Sequence, residues 1–314
     1  MCPGNQTLVG EFMLIGFPQN MQICILFFIV LFLIYIMTIL GNSLLISAVF
    51  ISPKLHTTMY FFLCNLSILD LCYSSISVPQ ILLVVLYKRR TISILGCMVQ
   101  MNAGHFLRST ESLLLAAMAH DRYIAICFPL YYTVIMNWKM CQNIAAVVWL
   151  GGFFTSVVPN ISKPLIFCTE NRLDHFACEI LALLKIACGN LDFITLRLFI
   201  VSLFILLAPF VFIVVSYVLI VSSILKIQSN DGRAKAFSTC GSHLIVVSMF
   251  YGTTITLYMG QTKHLFSKLK YISLIYGVLT PVLNPLIYSL RNNEVTKAFV
   301  KIFKHLHVLG QSIR

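Results

Sequence analysis

Apolar residues run through this chain in seven continuous stretches, approximately 23–50, 57–86, 97–127, 140–162, 194–225, 237–262 and 271–290. Crossing a bilayer takes roughly 20 residues of helix, and every stretch reaches or closely approaches that length. An outer-membrane barrel would instead show short segments of alternating polarity. The pattern predicts an all-α membrane protein, a seven-transmembrane helix bundle. The first stretch is the clearest, since no charge falls between Glu11 and Lys54. The third is the least apolar. It carries His105, Arg108, Glu111, Asp121 and Arg122 within or at the edge of the membrane. An Arg or Asp at mid-span costs roughly 2.5 to 3.5 kcal/mol on insertion scales, so these residues mark a function.

The polar remainder divides the chain. Residues 1–22 read as an extracellular tail, 23–290 as the bundle with a long second outer loop at about 163–193, and 291–314 as a cytoplasmic segment. In that last segment Val295, Phe299, Ile302 and Leu306 recur at helical spacing opposite Lys297, Lys301 and Lys304. This reads as a short amphipathic eighth helix on the inner leaflet. Seven spans place the termini on opposite sides. The 22 Lys and Arg residues divide evenly between the two sides, so orientation rests on the first span. No basic residue precedes it and Lys54 follows it, which predicts the N-terminus outside. No basic leader or cleavage site precedes the run, so it reads as a retained anchor.

Composition narrows the function classes. The chain is 59% hydrophobic and only 10% charged, with a mean hydropathy of +0.91. Its net charge of +12 is scattered along membrane edges, where basic residues meet anionic lipid, and does not suggest nucleic acid. Of 11 cysteines, Cys97, Cys168, Cys178 and Cys188 fall on the N-terminal, oxidising side. Four cysteines allow three pairings. No spacing fits a zinc site. Asn5-Gln6-Thr7 is a glycosylation sequon on the outer tail.

Inside the spans, Asn42 and Asp70 are polar groups that each need a partner. Asp70 and Glu111 lie near one depth and should not both be ionised and unpaired. A cation between them, a proton on one, or neutralisation of Glu111 by Arg108 three residues away would each resolve this. At about 100° per residue, positions 101, 104, 105, 108, 111, 115, 118 and 122 share one face of the third span. That face should point into the bundle.

Six blocks then carry a resemblance over nearly the whole chain: Gly41-Asn42, LHTTMYFFLCNLSILDLCYSS (55–75), MAHDRYIAIC (118–127), SYVLI (216–220), KAFSTCGSHL (235–244) and PVLNPLIYSLRN (281–292). In this order the chain resembles the rhodopsin-class G-protein-coupled receptors, and within them the olfactory receptors. Thr58 stands where that family usually has Pro, His120 where it has Tyr, and Arg108 where it commonly has a small residue.

The resemblance implies a plasma-membrane receptor, not an enzyme. Its partners would be a small, mostly apolar odorant, the bilayer and a heterotrimeric stimulatory G protein that raises cyclic AMP. The odorant would meet His105, Phe106, Arg108 and Ser109 on the third span, Val201, Ser202 and Ile205 on the fifth, and Tyr251, Thr254 and Tyr258 on the sixth. Asp121, Arg122, Tyr123, Tyr217, Asn284, Pro285 and Tyr288 would serve activation and coupling, with Asp121 the obvious acidic partner of Arg122. Asn42, Asp70 and Glu111 would form an internal water and ion network with Asn284, with sodium as a candidate ion and no other cofactor. The resemblance also implies Cys97–Cys178 and Cys168–Cys188 disulfides. A transporter is the competing class, but internal repeats are absent from this sequence. The last span holds no lysine at its middle for a retinal Schiff base.

Overall fold

The computed structural model describes residues 10–17, 20–87, 91–168, 171–259, 266–289 and 295–299. For residues 235, 238, 239, 258, 259, 266–269 and 289 it describes the backbone alone. The sequon at Asn5 lies outside these residues.

Seven long helices form the bundle: α1 (Met21–Ile51), α2 (Thr58–Tyr87), α3 (Ile94–Cys127), α4 (Trp138–Ser162), α5 (Asp192–Leu225), α6 (Asn230–Met259) and α7 (Phe266–Ser289). Six of them are long and apolar enough to cross a membrane among the described residues. The charged α3 makes the seventh when taken with the bent segment Pro129–Ile135 that follows it. The helices match the seven apolar stretches, with one clear difference. Helix α6 starts at Asn230, seven residues before the apolar run, because a helix does not stop where hydrophobicity stops. Three helix starts carry side-chain caps: Asn20 accepts from Gln22 and Ile23 amides, Ser93 from Gly96, and Asn137 from Met140.

The bundle is apolar outside, and its largely apolar interior holds a set of buried polar groups. Leu26, Leu33, Val147 and Val218 are exposed on the surface that lipid would cover, while Thr38, Asn42, Asp70, Ser112, His243 and Asn284 are buried. Small residues let helices close on one another. A Cβ on Gly41 would sit 3.2 Å from the Pro285 ring, and one on Gly152 would sit 2.2 Å from Thr110 Oγ1. Gly41 thus brings α1 against α7, and Gly152 brings α4 against α3.

Prolines loosen the helices at defined points. Pro209 has no N–H for the Ile205 carbonyl, and α5 forms a π-helical turn over Leu203–Leu207 just before it. The freed Ile205 carbonyl accepts from Ser112 Oγ on α3 at 2.5 Å. Likewise Pro285 frees the Pro281 carbonyl, which accepts from Asn42 Nδ2 at 2.8 Å. Buried carbonyls need such partners.

One end of the bundle carries a cap. Strand β1 (Glu11–Leu14) pairs antiparallel with β2 (Thr91–Ser93) and parallel with β4 (Arg172–Leu173); β3 (Ile166–Phe167) pairs with β5 (Ala187–Cys188). Phe12 and Leu14 are fully buried, and Phe12, Phe17, Phe167 and Phe176 make edge-on ring contacts beneath the strands. Part of the segment read as a tail is therefore built into the cap. Disulfides join Cys97 to Cys178 and Cys168 to Cys188. Residues 295–299 are helical, and Val295 and Ala298 are buried against the bundle core. Ile302 and Leu306 lie outside the described residues.

Candidate ligand cavity and the polar axis beneath it

Below the cap, α2, α3, α5 and α6 enclose a cavity of about 100 Å³, closed above by residues 177–181 of the long loop. An engineered apolar cavity that holds benzene measures about 150 Å³, so this one is about two-thirds that size. His105, Arg108, Ser109, Val201, Ser202, Ile205 and Thr254 line it, as do Tyr73, Gln100, Met101, Ser112, Glu179 and Phe250. Two of the residues read as ligand contacts stand elsewhere. Phe106 turns to α4, where its ring meets Trp149 at 5.8 Å and Phe153 at 6.0 Å. One step from His105 on a helix is a rotation of about 100°, enough to leave the cavity. Tyr251 lies beneath the floor, its hydroxyl 2.9 Å from Ser112 Oγ and its ring 5.0 Å from Phe210. The side chain of Tyr258 lies outside the described residues.

Arg108 is the centre of charge. It hydrogen-bonds the Tyr73 hydroxyl, and its guanidinium carbon lies 4.8 Å from the Tyr73 ring centre and 4.7 Å from that of Tyr276. Its ion-pair partner is Glu179 at 3.5 Å, so the Arg108–Glu111 pair, one of the three ways to resolve the two carboxylates, is not the one formed. The reason is covalent: Glu179 follows Cys178, and the bond to Cys97 pins that loop over the start of α3. Glu179 also accepts from Ser273 and faces His175 Nε2 at 3.7 Å. Burial alone would push the Glu179 carboxyl up, but His175, Arg108 and the Ser273 bond together hold it below its ordinary value. Nothing in helical periodicity marks Glu179. Its adjacency to Cys178 was the available signal.

Glu111 accepts instead from the Tyr276 hydroxyl at 3.2 Å, and its Oε1 has no hydrogen-bond partner. Glu111 and Asp70 wall one small internal cavity together with Thr280, whose hydroxyl is also without a partner. Asp70 accepts from Asn284 Nδ2 at 2.9 Å. Asn42 stands apart from this pair, bonded to Pro281.

Deeper in the bundle, Tyr217 on α5 lies 2.8 Å from His243 Nδ1 on α6, whose Nε2 lies 3.2 Å from the Leu115 carbonyl on α3. His243 thus ties three helices, a role its place in the KAFSTCGSHL block did not reveal. At the end opposite the cap, Asp121 accepts from Thr58 at 2.7 Å and from Tyr132 at 2.9 Å. Arg122 turns instead to the Met59 sulfur. The expected Asp121–Arg122 pair is replaced because consecutive helical side chains diverge and Thr58 and Tyr132 already satisfy the carboxylate. Tyr123 is half-buried with its ring 5.7 Å from Phe128, and Tyr288 is buried with its hydroxyl unbonded.

The chain is similar to known proteins over nearly its whole length. The family model described as Olfactory receptor matches residues 31–305. The chain is 46% identical over 304 residues to Olfactory receptor 2B6 of Mus musculus, covering 96% of this chain and 97% of the relative. It is 44% identical to Olfactory receptor 13D1 of Homo sapiens, covering 97% and 89%, and 45% identical to Olfactory receptor 13C9 of Homo sapiens, covering 96% of each. The chain is a multi-pass membrane protein that belongs to the olfactory receptor family of G-protein-coupled receptors and is not an enzyme.

Proposed function

We propose that this receptor binds a small, mostly apolar odorant in the cavity beneath the cap and activates a stimulatory olfactory G protein, raising cyclic AMP. The observation that carries this reading is the cavity floor. Ser112 lines the cavity and bonds both the Ile205 carbonyl in the π-helical turn of α5 and the Tyr251 hydroxyl on α6. A ligand that competes for Ser112 or presses on Tyr251 acts on both helices at once. It favours whichever arrangement of α5 and α6 it contacts better. Movement of α6 strains the Tyr217–His243–Leu115 link below, and Arg122 exchanges Met59 for the G protein at the end opposite the cap.

The cap then faces outside the cell. An uncharged flank before α1, Lys54 after it, and two disulfides in the cap support that orientation. Between Asp70 and Glu111 we place sodium or a proton. The wall offers oxygen donors of the kind a hard cation takes, with the Arg108 guanidinium also on it, and Glu111 Oε1 and Thr280 Oγ1 await a partner. Asn5 is the glycosylation site on the outer tail.

The test is a chemically diverse odorant panel on cells reporting cyclic AMP. An agonist is expected to be a small, largely apolar volatile. Ser109→Trp, which fills the cavity, is expected to abolish the response. Arg122→Ala is expected to reach the membrane and stay silent, since its partner Met59 is neutral and no buried charge is stranded. Undiminished signalling from Ser109→Trp overturns the cavity assignment, and undiminished signalling from Arg122→Ala overturns the coupling role.

A further inference from the structure

A separate cavity of about 240 Å³ lies between the cap ends of α3, α4 and α5. Its walls include Met101, Asn102, Asn160, Lys163, Leu165 and Arg197, and none of its wall residues is acidic. Arg197 donates to the Pro159 carbonyl and to Asn160 Oδ1. A guanidinium carries five N–H donors, so these two bonds leave others open. Among the described residues no carboxylate lies within ion-pair distance of Arg197 or Lys163. The Lys163 ammonium rests 3.9 Å from the Phe193 ring centre, a contact that leaves its N–H donors available.

The amides complete the pattern. Asn160 is only 7% exposed, and its Nδ2 has no hydrogen-bond partner. Its orientation is fixed, because Oδ1 accepts from Arg197. Asn102 donates to the Met98 carbonyl and leaves Oδ1 unpartnered. Buried donors without acceptors are costly. The buried Asn160 N–H lacks an acceptor, and the half-buried Arg197 and exposed Lys163 beside it favour one with negative charge. Met101 and Leu165 add an apolar flank.

We propose that this crevice binds an oxyanion carried on an apolar body, either the phosphate of a phospholipid headgroup or the carboxylate of a fatty acid. Arg197 and Lys163 hold the anion, Asn160 Nδ2 donates to it, and Asn102 Oδ1 takes a hydroxyl or a water. The hydrocarbon lies along Met101 and Leu165. This site adjoins the odorant cavity, because Met101 belongs to the walls of both. An occupant that displaces Met101 would reshape the odorant cavity without entering it.

The test uses the full-length receptor in non-ionic detergent, with thermal unfolding as the readout and octanoate as the probe. Sodium chloride at matched ionic strength is the control. Octanoate is expected to raise the unfolding temperature saturably beyond that control, with an unchanged shift in Ser109→Trp, which blocks the odorant cavity. Lys163→Gln and Asn160→Leu are each expected to weaken the apparent affinity roughly tenfold, as for loss of one charge-assisted hydrogen bond. Lys163 is exposed, so its variant folds even if Asn160→Leu does not. Added phosphatidylglycerol distinguishes the sources: suppression of the octanoate shift identifies a lipid headgroup, and an intact shift identifies a free acid. A shift no larger than with chloride, or one equal in wild type and Lys163→Gln, overturns the site.

Discussion

At the scale of single residues the receptor's chemistry turns on Arg108. A lone guanidinium in a cavity would select carboxylates, which it grips in bidentate fashion. Here Glu179 already neutralises it, and two tyrosine rings flank it. An acidic odorant would have to displace Glu179 or bring a second anion beside it. Neutral carbonyl or hydroxyl odorants need only a free N–H or a Ser109 or Thr254 hydroxyl. Across an acid, aldehyde, alcohol and alkane of one chain length, the wild type is expected to prefer the aldehyde or alcohol. Glu179→Gln is expected to shift preference toward the acid by roughly tenfold or more, the worth of one charge-assisted hydrogen bond. Arg108→Gly is expected to lose the aldehyde response selectively. Parallel loss of all four responses at normal surface expression would mean that Arg108 only braces the helices. The i, i+3 spacing that makes Glu111 one candidate partner for Arg108 is visible locally, whereas Glu179 arrives from a distant loop through a disulfide. Phe106 was misplaced for a related reason, since neighbours on a helix share a depth but not a face.

At the scale of elements, all seven helices were legible as apolar runs, because lipid imposes continuous hydrophobicity on a spanning helix. The cap was not. Strand β1 has four residues, and its partners lie far along the chain, so no local period announces it. Proline positions were visible, but the recipients of the freed carbonyls were not. Those recipients explain the Gly41-Asn42 block: Gly41 admits the Pro285 ring, and Asn42 caps the carbonyl that Pro285 leaves open. Asn42→Ala is therefore expected to destabilise the bundle by about 1–3 kcal/mol, the cost of a stranded buried acceptor. Pro285→Ala in the same background restores an N–H for the Pro281 carbonyl and is expected to recover part of that loss. Thermal unfolding of the two single variants and the double variant in detergent measures the coupling. Strict additivity would refute the shared carbonyl as the link between α1 and α7.

At the scale of the whole molecule, buried polar groups descend from the cap to the opposite end: Glu179 and Arg108, Glu111 and Asp70, Tyr217 and His243, then Asp121 and Arg122. The consequence for the middle of that chain is specific. Glu179 engages Arg108, so Glu111 has no ion-pair partner among the described residues, and Asp70 has only the neutral Asn284 amide. Asp70 and Glu111 line one small cavity that Arg108 also lines, and the proposed cation or proton would relieve what repulsion Arg108 leaves between the two carboxylates. The proposed cation would link α2, α3 and α7 in the arrangement in which Asn284 bonds Asp70, and so would favour the state present before the ligand acts. Replacing sodium by a large organic cation is expected to raise agonist potency in the wild type by about 5- to 150-fold, the usual range of a coupling between two sites. Asp70→Asn with Glu111→Gln removes both charges while keeping the shapes, and is expected to make potency indifferent to sodium. Potency that depends on pH but not on sodium in the wild type, and on neither in the double variant, assigns the position to a proton. Sodium dependence that survives the double substitution places the ion elsewhere and leaves Glu111 and Asp70 as a pair satisfied by Tyr276 and Asn284 alone.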